Sequence, residues 1–246
     1  MLIGTASIAE LARSAPTITR FVAEPVVLTG AVWFQMTAEM RNGAREAVLP
    51  PSLHPTVPSV LSIQGARVND SPWGAFAMAL VRVGCRSGVR ARGFSTALLV
   101  SSEPACAGLR DGFGFPARVA DVALSHGYIG IELDVAIGGR RALGVTALDP
   151  EPMHAEDVQY TGSLNLAYTP RGLRLVQVEM DHTSRQVERV RTTLRAFDGG
   201  ALGNPLLDPY YVVSGSVAHG DVTIPPVRFV CRPEELAFTG TEPVSG

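Results

Sequence analysis

The chain contains no lysine: its 21 lysine-plus-arginine positions are all arginine. Arginine stays protonated at every accessible pH and cannot act as an amine nucleophile. No lysine Schiff base can therefore form in this protein. Cysteine is scarce, with only Cys85, Cys106 and Cys231, widely spaced. An odd count argues against a complete disulfide framework, and a reducing, cytoplasmic compartment is expected. No cysteine pair has the spacing of a zinc knuckle. The histidines His54, His126, His154, His182 and His219 show no i, i+4 pairing, so spacing supplies no metal site. Neither GxGxxG nor a P-loop occurs, and no cofactor is expected. No apolar run reaches about 18 residues, which excludes a membrane-spanning helix and predicts no membrane partner. Glu10 falls early with no basic stretch before it, which argues against a secretory signal. The net charge is only -2 and the arginines are scattered, so nucleic acid is not an expected partner.

What is present is apolar. A hydrophobic content of 46% rules out global disorder. Short apolar or alternating segments are separated by Gly/Pro turns, the pattern of a mainly β barrel or sandwich. Strands are expected at Val26–Phe34, Leu61–Val68, Gly74–Cys85, Val89–Val100, Arg118–Leu124, Tyr128–Ile137 and Arg141–Leu148. More follow at Gly162–Tyr168, Leu173–Met180, Val187–Phe197, Tyr211–Val217 and Val222–Val230. Ile129, Ile131, Leu133 and Val135 alternate with smaller or charged residues, the period of a half-buried strand. Short helices are expected at Thr37–Val48 and Pro104–Gly112. Arg90 and Arg92 share a face that reads as solvated. No linker or repeat divides the chain, so residues 1–246 form one domain, with loose termini at 1–20 and 238–246.

The segment Arg110-Asp111-Gly112-Phe113-Gly114-Phe115-Pro116-Ala117-Arg118 resembles the active-site segment of the acetoacetate decarboxylase family. There an Arg-Glu pair is followed by an aromatic, a proline and two lysines. Asn69-Asp70-Ser71-Pro72-Trp73-Gly74, Val48-Leu49-Pro50-Pro51-Ser52-Leu53 and Asn204-Pro205-Leu206 through Val212-Val213-Ser214 resemble further family stretches, in the same order. The resemblance spans about residues 26–230. It implies a single-domain, β-barrel-like fold around one buried cavity, and a homo-oligomer as a common family habit.

The family's first lysine is its covalent nucleophile. Ala117 stands at that position and Arg118 at the next. A family glutamate falls at Met78, a second at Ile63 or, one residue on, Gln64, and an arginine near Gln35. The resemblance thus implies an enlarged, neutral cavity walled by Ile63, Trp73, Met78, Phe113, Phe115 and Ala117. Two roles are open to Arg118. It is an electrophile facing the cavity, or it faces away and pairs with Asp121 or Glu132, because neighbours in an extended segment point to opposite sides. Gln35 and Gln64 would orient a substrate carbonyl. The Arg110–Asp111 pair reads as a clamp on the loop, and His219 and Asp221 fall between late strands.

Loss of nucleophile and acids together, with the scaffold kept, points to a non-covalent enzyme of specialised metabolism. Its substrate would be a polyketide-like carbonyl compound, and its reaction cyclisation or isomerisation driven by orientation. Two alternatives stand beside it. One is a metabolite-binding protein without turnover. The other is a decarboxylase or hydro-lyase acting on a small keto acid through Arg118.

Overall fold

The computed structural model describes residues 2–128 and 130–244. The order begins with α1 (Ile8–Ala12), β1 (Val26–Met40), α2 (Asn42–Val48), β2 (His54–Pro55), β3 (Val60–Val68), β4 (Phe76–Ser87), β5 (Arg90–Val100) and α3 (Glu103–Phe113). It continues through β6 (Ala117–Val119), β7 (Asp121–His126), β8 (Gly130–Ile137), β9 (Arg140–Pro152), a 3-10 turn at Ala155–Asp157, β10 (Ser163–Thr169) and β11 (Gly172–Val178). The chain ends with β12 (Asp181–Phe197), β13 (Pro209–Ile224), β14 (Phe229–Cys231), α4 (Ala237–Gly240) and β15 (Thr241–Pro243). No described helix is long and apolar enough to cross a membrane.

All strands join one sheet in the order β15-β14-β11-β10-β5-β4-β3-β1-β13-β12-β9-β8-β7, with β2 beside β4 and β6 beside β5. The sheet curls until β7 touches β3, β4 and β5. This closure gives the sheet two distinct apolar faces. Inside the curl, Phe34, Met36, Ile63, Val81, Leu99, Leu133, Val145 and Val217 pack as one cluster. Side chains of opposite parity form the second cluster: Trp33, Ala66, Met78, Leu80, Leu98, Phe113, Phe115 and Ala117. Each fully buried leucine or phenylalanine contributes about 1.5–3 kcal/mol of transfer free energy.

Helix α3 covers the second face. Pro104 suits the first turn, where its missing N–H leaves no bond unmade. Ala105, Cys106, Leu109 and Phe113 form its buried stripe. Gly114, at φ 69°, ends the helix in the left-handed conformation. Its N–H donates to Arg110 O at 3.0 Å, and Phe115 N–H donates to Leu109 O at 3.4 Å. This C-terminal motif needs a residue without a Cβ penalty.

Several expectations are corrected. The segment expected to be a loose leader is tied down: Gly4, Thr5 and Ala6 donate N–H groups to Leu53, Glu46 and Leu49 carbonyls, and Ile18 is buried. The expected loose tail forms β15, paired with β14, and Glu242 there is gripped by Arg174 at 3.2 Å and Arg232 at 3.5 Å. The helix expected from Thr37 starts at Asn42. Helix-forming residues up to Met40 are held extended because β1 pairs with both β3 and β13. The expected strands Tyr211–Val217 and Val222–Val230 divide differently: β13 runs unbroken to Ile224, and β14 is separate. Arg92 does not lie on a solvated face. It is buried and bonds Glu179 through both nitrogens, at 2.5 and 3.2 Å. Ile129, counted in the alternation, lies outside the described residues.

Candidate functional site

Strand β6 runs beside β5, with Leu98 opposite Ala117 and Leu99 opposite Arg118. Ala117 therefore faces the second apolar cluster, and Arg118 faces away. Arg118 is exposed and donates from Nη2 to the carbonyl of Ala201, not to the expected Asp121 or Glu132. Met78, Phe113, Phe115 and Ala117 pack together in that cluster. Trp73 lies against α3: a Cβ on Gly108 would come within 2.2 Å of its indole. Ile63 points into the curl, on the opposite side of the sheet from Met78. Arg110 bonds its own neighbour, Asp111, at 2.8 Å on the surface and clamps no loop.

Gln35 and Gln64 are brought together. They are register partners on β1 and β3, and Gln64 Nε2 donates to Gln35 Oε1 at 2.9 Å. Gln35 Nε2 in turn donates to Gln159 O at 3.1 Å. Gln35 lines a pocket of about 720 Å³ at the end of the sheet away from Ala117. The other walls mix polar groups, Thr37, Thr56, Ser62, Arg92, Thr161, Arg189, Ser214 and Ser216, with apolar ones, Val60, Ala91, Met153, Val158, Val190 and Val213. None of the other expected site residues lines this pocket.

The sequence reading missed Arg82, the residue on which this pocket rests. Its neighbours Ser62, Gly84, Gly93 and Thr161 all line the pocket. Arg82 is 2% exposed. Its Nη1 donates to Thr161 O at 2.6 Å and Ser163 Oγ at 3.1 Å, and Nη2 to Ser62 Oγ at 3.4 Å. Nε has no partner, and no carboxylate pairs with the guanidinium among the described residues. Gly93 makes room for the stem, since a Cβ there would lie 2.9 Å from Arg82 Cδ. Burial pushes the Arg82 pKa down to about 10, so the group stays charged at neutral pH. A buried, unpaired cation costs several kcal/mol, which favours a functional reason for keeping it.

Around Arg82 other buried polar atoms lack partners: Gln64 Oε1 and Trp33 Nε1. Trp33 meets His182 edge-on, with ring centroids 5.0 Å apart. Burial, with the Arg82 charge adding to it, pushes the His182 pKa down to about 4. The imidazole is therefore neutral at physiological pH. One signal in the sequence pointed here: Arg82 interrupts the otherwise apolar run from Ala77 to Val83.

No protein-family model matches the chain, and no curated protein matches it in sequence. Solved structures do match in fold. Acetoacetate decarboxylase from Legionella pneumophila subsp. pneumophila str. Philadelphia 1 is 20% identical with a TM-score of 0.74, over 85% of this chain and 88% of that one. The enduracididine biosynthesis enzyme MppR, complexed with the condensation product of pyruvate and imidazole 4-carboxaldehyde, is 17% identical at TM-score 0.68, over 83% and 88%. An acetoacetate decarboxylase-like enzyme from Sphingomonas wittichii RW1 is 13% identical at TM-score 0.63, over 86% and 97%. In this chain, which has no lysine, the curled sheet and its covering helix are the acetoacetate decarboxylase fold.

Proposed function

We propose that the chain is a non-covalent enzyme that binds a carbonyl compound in the pocket lined by Gln35 and promotes its isomerisation or cyclisation. The observation that carries this reading is Arg82: a desolvated cation without a carboxylate partner, enclosed by residues that line the pocket. Arg82 lies behind the pocket wall, and a fixed, poorly solvated cation there stabilises, across that wall, the negative charge that develops on an enolising carbonyl. Gln35, which lines the pocket, is the amide placed to meet the substrate, and Gln64 behind it fixes its orientation by donating to Gln35 Oε1. His182, held neutral near Arg82, adds no second positive charge to compete for the substrate. Arg118, directed at Ala201, takes no part.

The mixed walls narrow the substrate. They suit a carbonyl compound with apolar carbons for Val60, Met153 and Val158 and a carboxylate or hydroxyls for Arg189 and the serines. The bound state of MppR, a pyruvate-derived condensation product, has that chemistry and lends the reading support.

The test is deuterium exchange at the carbon next to the carbonyl, followed by proton NMR for a panel of 2-oxo acids and 1,3-dicarbonyl compounds. Wild type should accelerate exchange of at least one compound over buffer. Arg82→Met should lower that rate by about 10-fold or more, because the lost charge acts on the developing anion from behind the wall. Binding with no exchange would replace the enzyme reading with that of a metabolite-binding protein. Exchange unaffected by Arg82→Met would overturn the role given to Arg82.

A further inference from the structure

Three residues that spacing alone left unrelated converge on the other side of the sheet. His126 ends β7, Glu188 sits in β12 and His219 in β13. Their candidate ligand atoms all lie within 4.8 Å of one another. The two imidazoles face each other with centroids 4.9 Å apart and planes tilted by 40°. We propose that His126, Glu188 and His219 form a site for a divalent transition metal, with zinc the best-matched ion.

The donor set fits that chemistry. Two imidazoles and one carboxylate match the ligands zinc takes, at about 2.0–2.2 Å each. Bringing the three atoms onto one ion requires only that they close up slightly, and His126 is exposed and free to turn. A second observation points to a missing partner. Nε2 of His219 is shut away from solvent and bonded to nothing. Buried polar atoms in folded proteins are nearly always satisfied, and an ion would satisfy this one. Glu188 is already oriented, because Gln186 Nε2 donates to its Oε1 at 2.9 Å. An oriented carboxylate with a hydrogen-bonded second oxygen is the usual state of a metal ligand. The exposed side of the site, at His126, leaves a coordination position open to water or a small ligand.

The placement gives such an ion a mechanical consequence. β12 and β13 are adjacent, but β7 is the last strand of the sheet and meets the others only because the sheet curls. An ion held by His126, Glu188 and His219 would fasten the end of the sheet to its middle. Val217 pairs with Glu188 and Ser216 with Arg189, so the site stands back to back with the pocket wall formed by Arg189 and Ser216.

The experiment uses tag-free, chelator-treated protein titrated with Zn²⁺ and, separately, Co²⁺. Zinc should raise Tm in a saturable manner, by linkage to the folded state. Co²⁺ should develop a visible absorption band without the strong near-ultraviolet charge-transfer band of a thiolate. The exposed ligand makes His126→Ala a variant that keeps the fold, and it should weaken zinc binding by at least ~10-fold, since even outer-shell partners are worth that much. Glu188→Gln should do the same, whereas His154→Ala should bind as wild type does. No Tm response and no Co²⁺ spectrum in the wild type would overturn the proposal. An equal response in wild type and His126→Ala would overturn it too, by showing adventitious binding elsewhere.

Discussion

Tyr160 lies flat on His182, with ring centroids 3.6 Å apart and planes 8° from parallel. With Trp33 edge-on to the same imidazole, the stack shields much of His182 and keeps it uncharged. An unfolded histidine with pKa near 6.5 takes up a proton that the folded one refuses until about pH 4. Between those values the unfolded state binds more protons, so stability falls as pH drops through the window and is unaffected by this group above it. The loss should reach ~3 kcal/mol at the acid end. Urea unfolding at pH 7 and pH 4.5 should show a smaller acid penalty in His182→Phe than in wild type. Equal penalties would show that His182 is not held neutral.

Arg82→Met should make the folded chain more stable, by about 1–4 kcal/mol, because replacing a desolvated ion with an apolar group of similar length removes its solvation penalty. The same change should raise the His182 pKa, since the Arg82 charge contributes to depressing it. Denaturant midpoints and an NMR titration of the imidazole report the two effects separately. A large loss of stability would mean that the hydrogen bonds to Thr161 and Ser163 outweigh the solvation cost.

Gly108→Ala tests the seat of Trp73. An added Cβ would come within 2.2 Å of the indole, too close for a small adjustment, and the ring would have to move off α3. Overpacking of this kind costs about 1–3 kcal/mol, against a gain of nearly 1 from alanine's helix propensity. Tm should fall and Trp73 fluorescence should shift to the red. An unchanged emission maximum would show that the contact is not tight.

Ala117→Lys probes the position that resembles the family nucleophile. Ala117 is 8% exposed and packed among Leu98, Phe113 and Phe115. An introduced amine there would be desolvated and crowded, and stability should drop by about 3 kcal/mol or more. Borohydride should trap no pyruvate on the variant, because the large pocket lies elsewhere. A trapped adduct would show that the apolar cluster opens to small keto acids, and it would move the site back to Ala117.

Much of the fold was legible in local patterns. Alternation marked β8 and β12, Gly/Pro turns separated the strands, and Pro104 and Gly114 bounded α3. The termini were not legible, because Gly4 to Ala6 are held through backbone bonds that no side-chain pattern records. The site was legible only in part. Gln35 and Gln64 could be named from the resemblance, but their pairing depends on the register of β1 against β3. That register also set aside Ile63, since one residue along a strand reverses the face.

The sequence by itself determined that no lysine chemistry is open to this chain and that a mainly β fold would form, because residue type and strand period are local properties. The tertiary structure alone decided which charges are buried and which residues meet. Arg82 is dry because β4 lies in the middle of the sheet, and Arg118, on the same face as Leu99, is exposed because β6 is a short strand off the main path of the sheet. His126 and His219 become neighbours only when the curl carries β7 back to the strands it left behind.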